Sequence, residues 1–143
     1  MSMTLNERNP NIDFIPLATQ AASSGLSAGV VYPGLYFRKH ARIKNVMYID
    51  QAGIAVSSTN YLKIVLQDNA ATPNSYASVN TSAVAAVANT ALAMTLTNPL
   101  ESSDASVNIE EDVPAGTQLN VQLTGHGTGV PTSAGVLIEW YPL

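Results

Sequence analysis

FRKHARIKNVMYIDQAGIAVSSTNYLKIVLQ, residues Phe37–Gln67, is the stretch that decides the fold class. In its second half Leu62, Ile64 and Leu66 alternate with Tyr61, Lys63, Val65 and Gln67, which is the period-two pattern of a half-buried strand. In its first half Ile43, Met47 and Ile49 share one face of an extended chain, and Arg38, His40, Arg42 and Lys44 line the other. Val46 and Tyr48 continue that second face in apolar form, so the far end of the strand is expected to be covered. Four of the six Lys/Arg residues fall within positions 38–44, which places the chain's main electrostatic handle here.

The same period continues downstream. Ser75–Thr81 reads as a short strand after a turn over Asp68–Asn74 marked by Pro73 and by Asn69 and Asn74. Thr81–Ala93 is rich in alanine but broken by Thr, Val and Asn, and is expected to be a loop or helical turn before a strand at Ala91–Thr97. Val107–Glu110 reads as another short strand, followed by a turn at Val113–Gly116. The clearest alternation puts Leu119, Val121 and Leu123 on one face and Gln118, Asn120, Gln122 and Thr124 on the other. After a Gly125–Gly129 loop, Val136, Ile138 and Trp140 line the buried face of a last strand. Short strands at this spacing predict an all-β, jelly-roll-like antiparallel β-sandwich over residues 35–143.

Residues 1–34 differ. Pro10, Pro16 and Pro33 punctuate them, and Asn11–Leu17 (NIDFIPL) is a short apolar knot. Proline lacks the amide donor and disfavours helix in the residue before it. The two readings are a floppy solvated terminus and an extended N-terminal arm that docks Phe14, Ile15 and Leu17 on a neighbouring subunit. The apolar knot favours the arm, and deleting residues 1–20 is then expected to leave the sandwich folded but to weaken binding.

Composition bounds the function. The chain has 143 residues, a net charge of −4 and only 11% charged residues, against about 25% in ordinary soluble domains. A surface this poor in charge presents neutral hydrogen-bonding groups, and the acidic balance argues against general nucleic-acid binding. There is no cysteine, so disulfides and thiolate metal sites are excluded. No run reaches the ~18 apolar residues of a membrane-spanning helix, and the N-terminus lacks the apolar core of a signal peptide.

Chemistry-bearing groups are sparse. His40 and His126, the only histidines, sit in different segments, and a metal site needs them convergent with carboxylates. Glu110, Glu111 and Asp112 cannot all face one ion from an extended chain; they read as a solvated turn, or as a salt-bridge partner between subunits for the basic stripe. Gly125-His126-Gly127-Thr128-Gly129 lacks the strand-to-helix context of a phosphate loop. No Gly-x-Ser-x-Gly elbow occurs. Neither an enzyme activity nor a cofactor is expected.

The segments ARIKNVMYIDQAG, TNYLKIVLQ, VPAGTQLNVQL and the closing LIEWYPL together resemble the small jelly-roll decoration (cement) proteins on the heads of tailed bacteriophages, over roughly Leu35–Leu143. The resemblance implies a role without chemistry: homotrimers, or dimers, on the outer surface of the capsid, bridging subunits of the major capsid protein. Physical reasoning adds candidate contact residues, Phe14, Ile15 and Leu17 from the arm and Arg38, Arg42 and Lys44 from the basic stripe. Two other readings stay open, a carbohydrate- or receptor-binding module of a phage fibre and a subunit of a non-viral assembly.

Overall fold

The computed structural model describes residues 10–19, 29–97, 111–127 and 132–143. Ten strands run in order: β1 (Asn11–Pro16), β2 (Val30–Phe37), β3 (Ala41–Asp50), β4 (Leu62–Asp68), β5 (Ser75–Asn80), β6 (Leu92–Ala93), β7 (Thr95–Leu96), β8 (Glu111–Val113), β9 (Thr117–Gly125) and β10 (Ala134–Pro142). Among the described residues there is no helix. The strands form two antiparallel sheets packed as a jelly-roll-like sandwich, β1-β10-β3-β6 with β8 also on β3, and β2-β9-β4-β5-β7. All but one of the steps along the chain cross from one sheet to the other, the exception being the β4–β5 hairpin.

The core lies where the period-two faces meet. Leu62, Ile64 and Leu66 of β4 are fully buried, as are Leu119, Val121 and Leu123 of β9 and Val136 and Ile138 of β10. Trp140 is partly buried at one end, its ring set edge-on to Phe37 at 4.9 Å between centroids. The segment expected as one strand over 91–97 is instead split. Leu92–Ala93 pairs with β3, Met94 is buried, and Thr95–Leu96 pairs with β5 in the opposite sheet.

Two corrections concern the opening stretch. Glu139 stands opposite Asn45 and Trp140 opposite Ile43, so Lys44 is the extra residue of a β-bulge in β3. A bulge inverts the alternation beyond it. Ile43 therefore shares the buried face with Val46, Tyr48 and Asp50, while Met47 and Ile49 turn to the outer face. The basic stripe is also not one strand face, because Arg38 and His40 sit in the β2–β3 turn, ahead of β3.

A third correction concerns the arm. Asn11–Pro16 pairs with β10 as an edge strand of the sandwich, and Val30–Pro33 opens β2. Ile15 and Leu17 are 3% and 6% exposed and belong to the core, so neither is available to a neighbouring subunit. Gly34 makes room for this, since a Cβ there would collide with Ile15 and with the Leu119 carbonyl. Residues 1–9 and 20–28 of the expected arm, and the expected strand at 107–110, lie outside the described residues.

Candidate functional site: the outer face of the β1-β10-β3 sheet

The two outer faces of the sandwich differ in chemistry. On the β9 sheet the cross-strand rows are Val31–Gln122–Val65–Ser78–Thr95, Pro33–Asn120–Gln67 and Thr124–Lys63–Asn80. Among the described residues of these rows, neutral amides and hydroxyls predominate, interrupted by Val31, Pro33 and Val65, and the one charge is Lys63.

The opposite face is apolar at its centre. Its rows are Ile12–Glu139–Asn45, then Phe14–Leu137–Met47–Ala93, then Pro16–Gly135–Ile49. Ile12 is 61% and Phe14 55% exposed, high values for large apolar side chains held in a regular strand. Phe14 lies across Gly135, where any added Cβ would meet its ring, so the glycine gives the ring a flat seat. Beside it a shallow cleft of about 270 Å³ is lined by Leu17, Ile49, Gln51, Asn89 and Ser133. Two of its lining residues are joined, Ser133 Oγ donating to Gln51 Oε1 at 3.2 Å.

The polar end of this face is closed within the chain. Arg42 stands between Tyr141 and Asp112 in the strand register. Asp112 Oδ1 lies 2.6 Å from His40 Nε2 and 3.8 Å from Arg42 Nε. Asp112 and Glu111 thus lie in β8, beside β3, where Glu111 is buried; the reading of the acidic run as a solvated turn is corrected for these two residues, and Asp112 meets the basic residues of its own chain. One row further in, Asn45 Nδ2 donates to Glu139 Oε2 at 3.0 Å.

Of the six candidate contact residues, Phe14 and Arg42 share this outer face, Lys44 is half-buried at the bulge, and Arg38 is exposed in the β2–β3 turn. Ile15 and Leu17 are inside. Sequence reasoning missed Ile12, Leu137 and the outward turn of Met47 and Ile49. The Ile12/Phe14 spacing of two was a usable signal for one face of a strand, but the bulge at Lys44 has no sequence signature.

Two buried or stacked polar groups have local structural roles. Tyr48 Oη donates to Asp50 Oδ2 at 2.8 Å, and the amides of Ala52 and Gly53 donate to Asp50 Oδ1 at 2.9 and 3.0 Å. Burial first, and then the adjacent Asp50 carboxylate, push the Tyr48 hydroxyl far above the ordinary tyrosine range. His126 stacks on Tyr61 at 4.2 Å between ring centroids, and its backbone N–H donates to the Tyr61 carbonyl. Among the described residues no group of three or more His, Cys, Asp and Glu side chains is placed to hold a metal. No family model, curated protein or solved structure matches the chain.

Proposed function

We propose that this chain is a structural virion protein, a capsid decoration (cement) protein that lies on the outer surface of a phage head and braces contacts between subunits of the major capsid protein. The observation that carries the reading is the asymmetry of the sandwich, with one outer face neutral and hydrogen-bonding, the other apolar around Phe14. A contiguous exposed apolar patch marks an interaction surface, and here it is built on strands rather than loops, so docking needs little ordering. The sequence resemblance to head decoration proteins points the same way, and so does the low charge, since a surface of amides and hydroxyls is cheap to cover.

The role asks for adhesion without chemistry. Many modest contacts, repeated over a lattice of identical sites, add up through effective concentration. In this reading Phe14, Ile12 and Leu137 seat against the capsid protein, and Arg38, exposed in the β2–β3 turn, and Lys44, half-buried at the bulge, supply positive charge. Ile15 and Leu17 act indirectly, by fastening β1 to the core.

The decisive experiment is the copy number of the chain in purified particles of the virus that encodes it, paired with the Phe14→Asp variant. A stoichiometry comparable with the major capsid protein, reduced by Phe14→Asp, is the expected result. A handful of copies per particle would move the assignment to a fibre module, and absence from the particle would end it. The amide-rich face of the β9 sheet, with Tyr36 exposed at its edge, is what favours the second reading, a carbohydrate- or receptor-binding module. Glycan-array binding that Tyr36→Ala abolishes would establish that instead.

A further inference from the structure

The strand edges of the two sheets are not equally protected. β6 and β7 are two residues long, too short to template another strand. β2 carries Pro33 in mid-strand and a register irregularity between Pro33 and Tyr36, and both blunt an edge. β1 has neither defect, because its prolines stand at the ends, Pro10 before the strand and Pro16 as its last residue.

The hydrogen-bond parity of β1 follows from one contact. The Leu17 amide donates to the Ala134 carbonyl at 3.0 Å, so in the antiparallel ladder residues 17, 15, 13 and 11 bond to β10 and residues 16, 14 and 12 do not. The N–H and C=O groups of Ile12 and Phe14 therefore point away from the sheet, and no described strand lies on that side of β1. Pro16, which has no N–H, occupies an outward position where its own sheet loses nothing. Ile12 and Phe14 are also the two residues of β1 with large exposed apolar side chains.

We infer that β1 pairs antiparallel with β1 of a second copy about a two-fold axis through Asp13, joining the two sheets into one. The prolines select this register. Placing Ile12 opposite Phe14 of the other copy makes four main-chain hydrogen bonds between two donors and two acceptors on each side. In it two rungs are free of proline, with Pro10 facing Pro16 of the other copy at each end, whereas a shift by two residues in either direction leaves only one proline-free rung. In the selected register Ile12 and Phe14 form two aromatic–β-branched cross-strand pairs, and the apolar outer faces of both copies become continuous.

The same register sets one opposing feature. Asp13 faces its own equivalent across the axis, on the side of the sheet where its carboxylate accepts the Trp140 indole N–H at 2.7 Å. Like charges directly opposite one another weaken strand pairing, so the association is held weak and reversible. Asp13→Asn removes the charge and keeps an oxygen for the indole.

The pairing needs no capsid and is tested on the isolated chain by sedimentation equilibrium. The expected result is a monomer–dimer equilibrium that Asp13→Asn tightens about fivefold. Ile12→Pro removes an outward N–H without touching the ladder to β10, and is expected to weaken the dimer by about tenfold or more while the circular dichroism spectrum is retained. A trimer, a dimer indifferent to Ile12→Pro, or monomers for both the wild type and Asp13→Asn would overturn it. Should Ile12→Pro unfold the chain, Ile12→Lys, which adds charge at an already exposed side chain, decides the same question.

Discussion

At the scale of single residues, Asp50 shows how a buried carboxylate is kept in an apolar sandwich. One oxygen takes the Tyr48 hydroxyl and the other caps the loop amides of Ala52 and Gly53. Removing one partner of a buried polar pair costs the desolvation of the other. Tyr48→Phe is therefore expected to lose about 1–3 kcal/mol in urea denaturation, with little change in fold. Asp68 gives the pH dependence. Burial opposes its ionisation, but the Asn74 side chain, the Asn74 amide and the Ala70 amide all donate to it and hold its pKa below the usual carboxylate value. A lowered folded-state pKa contributes stability that is complete above the unfolded value, about 3.9, and is lost as pH falls through the folded one. Amide exchange at Asn74 should therefore quicken on acidification through that window relative to amides in β9, and Asp68→Asn should abolish the difference.

At the scale of an element, β1 is the informative strand. Its odd positions face inward and its even positions outward, so neighbouring residues carry opposite duties. Ile15→Ala opens a core site and is expected to cost about 2–5 kcal/mol. Phe14→Ala, at an exposed position over Gly135, is expected to cost within about 0.5 kcal/mol, as surface substitutions do. Equal losses for the two in parallel denaturation curves would contradict the alternation. The same strand revises the deletion experiment. A truncation through residue 20 removes Ile15 and Leu17 and uncovers Val136 and Ile138, so it should lower the melting temperature sharply. A truncation that stops at residue 9 keeps every described core contact and isolates the effect of the preceding segment.

At the scale of the whole molecule, the two sheets share one core and present unlike surfaces. The functional prediction belongs here, since no single side chain makes the site. Leu137→Asp and Phe14→Asp each place a charge in the middle of the apolar rows without entering the core. Both are expected to lower occupancy on particles while leaving thermal stability near that of the wild type. Normal occupancy for both would show that a different surface does the docking.

What the sequence determined by itself was set by local periodicity. The alternation in Leu62–Leu66 and Leu119–Leu123 fixes which side chains face inward, because a strand has a strict period of two and water penalises the wrong choice. That was enough for an all-β sandwich and most of its core. Tertiary structure alone decided the rest. The bulge at Lys44 arises from matching β3 to β10, a pairing about 90 residues away in sequence, and only that match sends Met47 and Ile49 outward. The apolar knot at Asn11–Leu17 reads equally well as an arm or a strand, since Ile15 and Leu17 need an apolar cover and the sequence does not say whose. The structure supplies it from the same chain, through the β10 edge and the space at Gly34. The outer apolar face was illegible for the same reason, being assembled from three strands distant in sequence, whose neighbours are settled by hydrogen-bond register and not by any run of residues.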